Sequence, residues 1–364
     1  MPSDQYAPYI KVKQHLAEHP RLRLLLFELT TQCNLKCRHC GGKCPSRDQY
    51  DQIDVDAALR TIDTVADHMP PGSVMFCLTG GEPLLHRDWL TIGRHIASKG
   101  FPWGMTTNGT LITPQTITQM KEAGMQTISV SIDGLKESHE WQRGVSGCFD
   151  KAVCGLRLLA DSKAFQCVQA TTVVNTRNLH ELSLLRSYLE RLGVNSWKIV
   201  ATEPIGDAVG QRELFLSPAQ YEQMLEFIYQ NRQTSEMEIT YACPHFLPEK
   251  YETGVRGFHF HCGAGTLIAS ISAKGEILAC LDIDDRERTI QGNIDSDNFW
   301  DVWSNGFRIF RQPRDLSRSQ CAQCPEKEFC RGDSWHTWDF ERQRPKVCLR
   351  RMGEGGAEEH GMGL

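Results

Sequence analysis

Residues 22–40 read LRLLLFELTTQCNLKCRHC, an apolar run that ends in a polar turn and opens into Cys33-x3-Cys37-x2-Cys40. The near-continuous apolar stretch LRLLLFELT (22–30) reads as a buried strand. The same grammar repeats downstream in SVMFCLT (73–79), FPWGMTT (101–107), TISVSID (127–133), FQCVQATTVV (165–174) and SWKIVAT (196–202). Between these runs, residues 54–69, 87–100, 113–124, 148–162 and 178–193 carry helical periodicity. Strands alternating with helices predict an α/β fold with a parallel sheet and helices outside it. Polar motifs follow the strands: the cysteine run after the first, GGEP (80–83) after the second, TNG (107–109) after the third and Asp133-Gly134 at the end of the fourth. In parallel barrels, loops at the strand C-termini build the active site.

Composition narrows the function classes. The chain has 364 residues, 40% apolar and 23% charged, enough for one catalytic domain with an appendage. A formal net charge of −5 leaves no excess of Lys or Arg to neutralise phosphates, which argues against nucleic acid as a partner. No run of eighteen apolar residues predicts a membrane span, and the N-terminus lacks a secretory pattern, so a cytoplasmic location is expected. Fifteen cysteines are then anomalous. Disulfides do not suit a reducing compartment, and short regular spacings suggest metal or cluster ligation. Isolated Cys148, Cys154 and Cys167 read as small buried apolar residues.

The chain divides into an N-terminal extension (1–22), the alternating α/β region (23–205), a bridging helical region (206–241), a Cys-rich domain (242–352) and a disordered tail (353–364). Within the bridge, Ser217 and Pro218 read as the N-cap and first residue of a helix over 217–230. The Cys-rich segments are too short to bury a large core, so an inorganic staple is expected there. Taken alone, Cys33, Cys37 and Cys40 suit either three irons of a cubane or a zinc site completed by His39 or Cys44. The glycines of GGEP allow close backbone approach, and Glu82 can accept hydrogen bonds from an ammonium group.

Together, CNLKCRHC (33–40), LTGGEP (78–83), TTNG (106–109), SIDG (131–134) and Trp141-Gln142-Arg143-Gly144 make residues 20–205 resemble the radical S-adenosylmethionine (SAM) superfamily. The resemblance implies a partial (β/α)6 TIM-like barrel. Cys33, Cys37 and Cys40 would hold a [4Fe–4S] cluster whose open iron chelates SAM, and reductive cleavage would release a 5′-deoxyadenosyl radical that abstracts a substrate hydrogen atom. It assigns SAM contacts to Gly80, Gly81, Glu82, Asn108, Ser131 and Arg143, with the Arg143 guanidinium suited to a carboxylate. Farther on, Cys262-x12-Gly275-x4-Cys280, Cys321-x2-Cys324-x5-Cys330 and Cys348 resemble the SPASM auxiliary-cluster extension. A zinc ribbon of Cys321, Cys324, Cys330 and Cys348 is the alternative.

Two positions depart from the SPASM pattern: Arg256 and Ser334 stand where cysteines are expected. Both belong to the first auxiliary cluster with Cys262 and Cys280, which is therefore either lost or completed by residues such as Cys243 and His336. One or two auxiliary iron–sulfur clusters are implied. The extension also implies a precursor peptide as substrate, an oxidative crosslink or side-chain modification as outcome, and a flavodoxin or ferredoxin as electron donor. The short N-terminal extension suggests that a separate protein or the barrel surface binds a leader peptide. Asp282, two residues past Cys280, is the candidate catalytic base. Alternatives are a peptide epimerase using Cys77 or Cys167 as hydrogen donor, a small-molecule enzyme of cofactor biosynthesis, and a non-catalytic zinc-stapled binding module.

Overall fold

The computed structural model describes residues 5–42, 49–242 and 245–350. Cys44, Cys243 and the tail from 351 lie outside them. Six parallel strands, β1 (Leu24–Glu28), β2 (Met75–Thr79), β3 (Trp103–Thr107), β4 (Thr127–Ser131), β5 (Cys167–Val174) and β6 (Ser196–Ala201), pair in chain order. Helices intervene, among them α2 (Val55–His68), α3 (Trp89–Ser98), α4 (Pro114–Glu122), α6 (Cys148–Ser162) and α7 (Leu182–Arg191). Their starts follow local chemistry: Asp54 caps α2 by accepting from Ala57 N, and Thr113 with Thr116 forms a capping box at α4. Large side chains such as Trp103, Trp197 and Phe76 are fully buried in one continuous core.

The sheet is wider than the six expected strands. In the region read as a bridge, α8 (Pro218–Arg232) begins at a Ser217–Gln220 capping box and leads to β7 (Glu238–Tyr241), which pairs parallel to β6. In the Cys-rich region, β8 (Ile268–Ile271) pairs parallel to β1 on the opposite flank. β9 (Glu276–Leu278) and β10 (Gly292–Asn293) then extend the sheet antiparallel, giving the order β10-β9-β8-β1-β2-β3-β4-β5-β6-β7. The physical reason is area: a four-residue apolar strand cannot form its own core but is buried when it joins an existing edge.

Among the described helices of eight residues or more, two escape the apolar-period reading. α5 (Lys136–Arg143) buries Ser138, His139, Gln142 and Arg143, so its inner face is polar and no apolar stripe announces it. α1 (Ala7–Glu18), inside the N-terminal extension, buries only Lys13. Lys13 Nζ donates to Phe329 O at 2.7 Å, and Tyr6, just before the helix, stacks on Phe329 at 4.3 Å, so α1 docks on the Cys-rich region.

Candidate functional site

The cysteine loop after β1 is clamped by four other segments. At its start, Gly81 N donates to Thr30 O and Glu82 N to Gln32 O, at 2.7 and 2.8 Å. Gly80 lies at φ +147°, and a Cβ on Gly81 would fall 2.3 Å from Gln32 O. The glycines of GGEP thus let two backbone loops touch. In the middle, Lys36 N donates to Arg143 O and Arg38 N to Gln142 O, so the end of α5 holds the loop in place. At its end, Asp207 N donates to Cys40 O at 2.8 Å from the loop after β6. A fourth tie comes from Asn34, which donates to Thr110 Oγ1 and accepts from Asn108 Nδ2, both at 2.8 Å.

These clamps close around a cavity of about 540 Å³ whose wall includes all three thiols together with Gly80, Gly81, Asn108, Ser131, Arg143 and Asp282. Such a volume lies within the range of cofactor sites. Burial pushes the Cys37 thiol up to about 12, against the pull of Arg143, and a bound cluster would hold it as the thiolate. His39 Nδ1 is buried without a partner in the same wall. Three converging thiols, a polar wall and an orphaned polar atom fit an iron–sulfur cluster with a polar ligand.

Glu82 and Arg143 are both engaged by the protein's own groups. The Glu82 carboxylate is fully buried behind Gly80 and Gly81, where it accepts from Thr107 Oγ1 at 2.7 Å and Asn108 N at 2.8 Å. Burial raises its pKa to about 6 despite those bonds. It organises the TNG loop from behind. The Arg143 Nε donates to Asp133 Oδ2 at 2.5 Å and its Nη1 to Cys37 Sγ at 3.5 Å, so the guanidinium backs the cysteine loop. Burial alone would raise the Asp133 carboxyl, but Arg143 and the neighbouring histidines hold it below its ordinary value.

Asp133, quoted within SIDG but given no role from sequence, is the hub of this layer. Its backbone N–H donates to His139 Nδ1 at 3.1 Å, which requires the neutral Nε2–H tautomer, while His139 Nε2 is buried without a partner. Burial accordingly lowers the His139 pKa from 6.5 to about 4. Between those values the unfolded chain takes up a proton that the folded chain refuses, so stability falls as pH falls, by about 1.4 kcal/mol per pH unit. His139→Gln should flatten this acid limb in denaturant titrations at pH 6.5 and 4.5; an unchanged slope would remove His139 from the acid response.

In the Cys-rich region, Cys321 and Cys324 share a turn through Cys324 N donating to Cys321 O at 3.0 Å, and the short helix Lys327–Cys330 carries the third cysteine. The Cys330 thiol is raised by burial and then by the charges of Asp333, Cys348 and Cys321. Cys262 and Cys280 are likewise electrostatic neighbours. The first auxiliary site lacks a full thiolate set among the described residues. Arg256 pairs with Glu252 at 2.7 Å, both side chains buried, and Ser334 is fully buried.

Comparison with known proteins agrees with this geometry. Residues 27–189 match the Radical SAM superfamily, and residues 262–325 match SPASM, an iron–sulfur cluster-binding domain. The AdoMet-dependent heme synthase of Methanosarcina barkeri is 31% identical over 353 residues, covering 91% of this chain and 97% of that protein. The mycofactocin maturase MftC of Mycobacterium tuberculosis is 27% identical over 314 residues, covering 85% and 77%. Streptococcus suis SuiB bound to its precursor peptide SuiA superposes with a TM-score of 0.73 at 15% identity, over 95% of this chain and 80% of that one. The mostly parallel sheet is therefore that of the partial barrel, followed by a SPASM domain. Its cofactors are a [4Fe–4S] cluster with SAM and auxiliary iron–sulfur clustering. With the cysteine loop, GGEP and the end of α5 in the first matched region and Cys262, Cys280, Cys321 and Cys324 in the second, the chain belongs to the radical SAM superfamily as a SPASM-bearing enzyme.

Proposed function

We propose that this enzyme oxidises a peptide, forming a crosslink or modifying a side chain of a ribosomally made precursor. The observation that carries the reading is Asp282, which enters the wall of the SAM cavity beside Gly41 and lies two residues from Cys280. One short segment thus joins the radical site to an auxiliary cysteine. Bound in their sites, the cluster–SAM pair and the auxiliary cluster supply hydrogen-atom abstraction and an electron sink. The exposed Asp282 carboxylate takes the proton that an oxidative outcome releases. Asn34, Asn108, Ser131 and Arg143 hold the polar wall, while the buried layer of Glu82, Asp133 and His139 excludes water behind it. The likeness to SuiB, solved with its precursor peptide, supports a peptide, and a flavodoxin or ferredoxin in the cytoplasm, with a separate leader-binding protein, completes the reading.

Epimerisation is less well supported. Burial raises the thiols of Cys77 and Cys167, Cys77 is engaged with Thr106 Oγ1 at 3.7 Å, and neither thiol lines the cavity. A second reading, a haem-type tetrapyrrole as substrate, is favoured by the near-complete coverage of the M. barkeri heme synthase. The reconstituted enzyme is to be given SAM, dithionite and, in parallel, a short peptide encoded beside its gene or an iron porphyrin carrying propionates. Loss of two hydrogens from the peptide with 5′-deoxyadenosine formed supports the first reading; turnover of the porphyrin alone overturns it. Asp282→Asn should lower product formation about 10²–10⁴-fold while SAM cleavage persists. An equal fall in both would exclude Asp282 from the proton step.

A further inference from the structure

Where the SPASM pattern expects a cysteine, Ser334 stands between two residues that belong to a different constellation, Asp333 and His336. His336 meets His245 ring to ring, centroids 5.7 Å apart, just beyond the end of β7. Glu203, just beyond the end of β6, places Oε1 2.9 Å from His245 Nε2. One ligand atom from each of Glu203, His245 and His336 lies within 4.8 Å of the others. The His245 side chain is fully buried and that of Glu203 only 9% exposed. On its far side, His245 Nδ1 meets Asp333 Oδ2 at 2.6 Å, and Asp333 Oδ1 accepts from Phe246 N at 2.9 Å.

We infer that Glu203, His245 and His336 form a mononuclear site for a divalent first-row metal ion, zinc or iron(II), beside the incomplete first auxiliary-cluster position. Two imidazoles and one carboxylate are a donor set these ions share, and the set leaves coordination positions open. Asp333 fixes the tautomer. With Nδ1–H donating to Asp333, the Nε2 lone pair of His245 points at Glu203 and His336, the carboxylate–histidine–metal arrangement. Replacing cysteine with Ser334 removes a soft thiolate from this neighbourhood, and the donors gathered nearby are nitrogen and oxygen. The ion would tie the ends of β6 and β7 to the C-terminal segment. The alternative is a plain buried ion pair, with a protonated His245 shared between Glu203 and Asp333.

The test uses the cluster-loaded holoenzyme, equilibrated anaerobically against micromolar zinc chloride, with zinc, iron and sulfide counted per chain. Zinc plus iron in excess of sulfide should total one per chain. The zinc K-edge spectrum should show only nitrogen and oxygen neighbours, at roughly 2.0–2.1 Å. His336→Ala and Glu203→Gln should each weaken zinc binding by about 100-fold or more, and Asp333→Asn by about 10–100-fold, with cluster iron and sulfide unchanged. Unchanged cluster counts show that the variants fold. A sulfur shell around zinc, zinc retained in both ligand variants, or no such metal in the wild type overturns the site in favour of the ion pair.

Discussion

Replacing Cys33, Cys37 and Cys40 together by alanine is expected to remove about four irons per chain, from roughly eight to four where one auxiliary cluster is present, and to abolish SAM cleavage. The expectation rests on placement. All three thiols face the same cavity, and the loop that carries them is bonded to GGEP, to the end of α5 and to the loop after β6. The C-terminal thiols of Cys321, Cys330 and Cys348 do not line that cavity and should keep their iron in the variant. Because the loop's ties to Gln142, Arg143 and Asp207 run through its backbone, the alanine chain should still fold. Iron and sulfide counts with 5′-deoxyadenosine assays decide it. If the variant retained all its iron, the cysteine loop would not be the radical site.

Arg143→Met should destabilise the folded protein by about 3–5 kcal/mol, because it leaves the Asp133 carboxylate buried and unpaired. Asp133 is fully buried and Arg143 is 8% exposed, so little solvent is available to replace the lost partner. The added change Asp133→Asn should recover much of that loss, since it removes the stranded charge. A second readout separates packing from function. Arg143 Nη1 lies 3.5 Å from Cys37 Sγ, and a donor and positive charge beside a cluster thiolate favour the reduced state. Both the single and double variants should therefore show a lower midpoint potential for the SAM-binding cluster, even where the double variant regains stability. A potential unchanged in both would make Arg143 a purely structural partner of Asp133.

The legible parts of the chain were those whose physics is local. LRLLLFELT and SVMFCLT announce buried strands through near-continuous apolar character, and Ser217 with Pro218 marks a helix start, as found at α8. Elements whose burial is polar or borrowed were not legible. KESHEWQR, the α5 helix, carries no apolar stripe because its inner face binds a carboxylate and a cysteine loop. The strand Ile268–Ile271 is too short to predict alone, and its stability comes from the open edge of β1. Asp133 could have been suspected from its place after β4, but the His139 and Arg143 that converge on it come from a helix that sequence periodicity did not show.

By itself, the sequence determined the alternating α/β order, the triplet Cys33, Cys37 and Cys40, and the succession of motifs at the strand ends, because strand, turn and ligand signals are written within a few residues. Only the tertiary structure decided what each motif residue touches. It turned Glu82 inward to Thr107 and Asn108, set Arg143 between Asp133 and Cys37, brought Asp282 to the cavity wall, and gathered Glu203, His245 and His336 from the ends of β6 and β7 and the C-terminal segment. Those partners are far apart along the chain, and side-chain direction in a buried polar layer is set by which hydrogen bonds close once the sheet has formed.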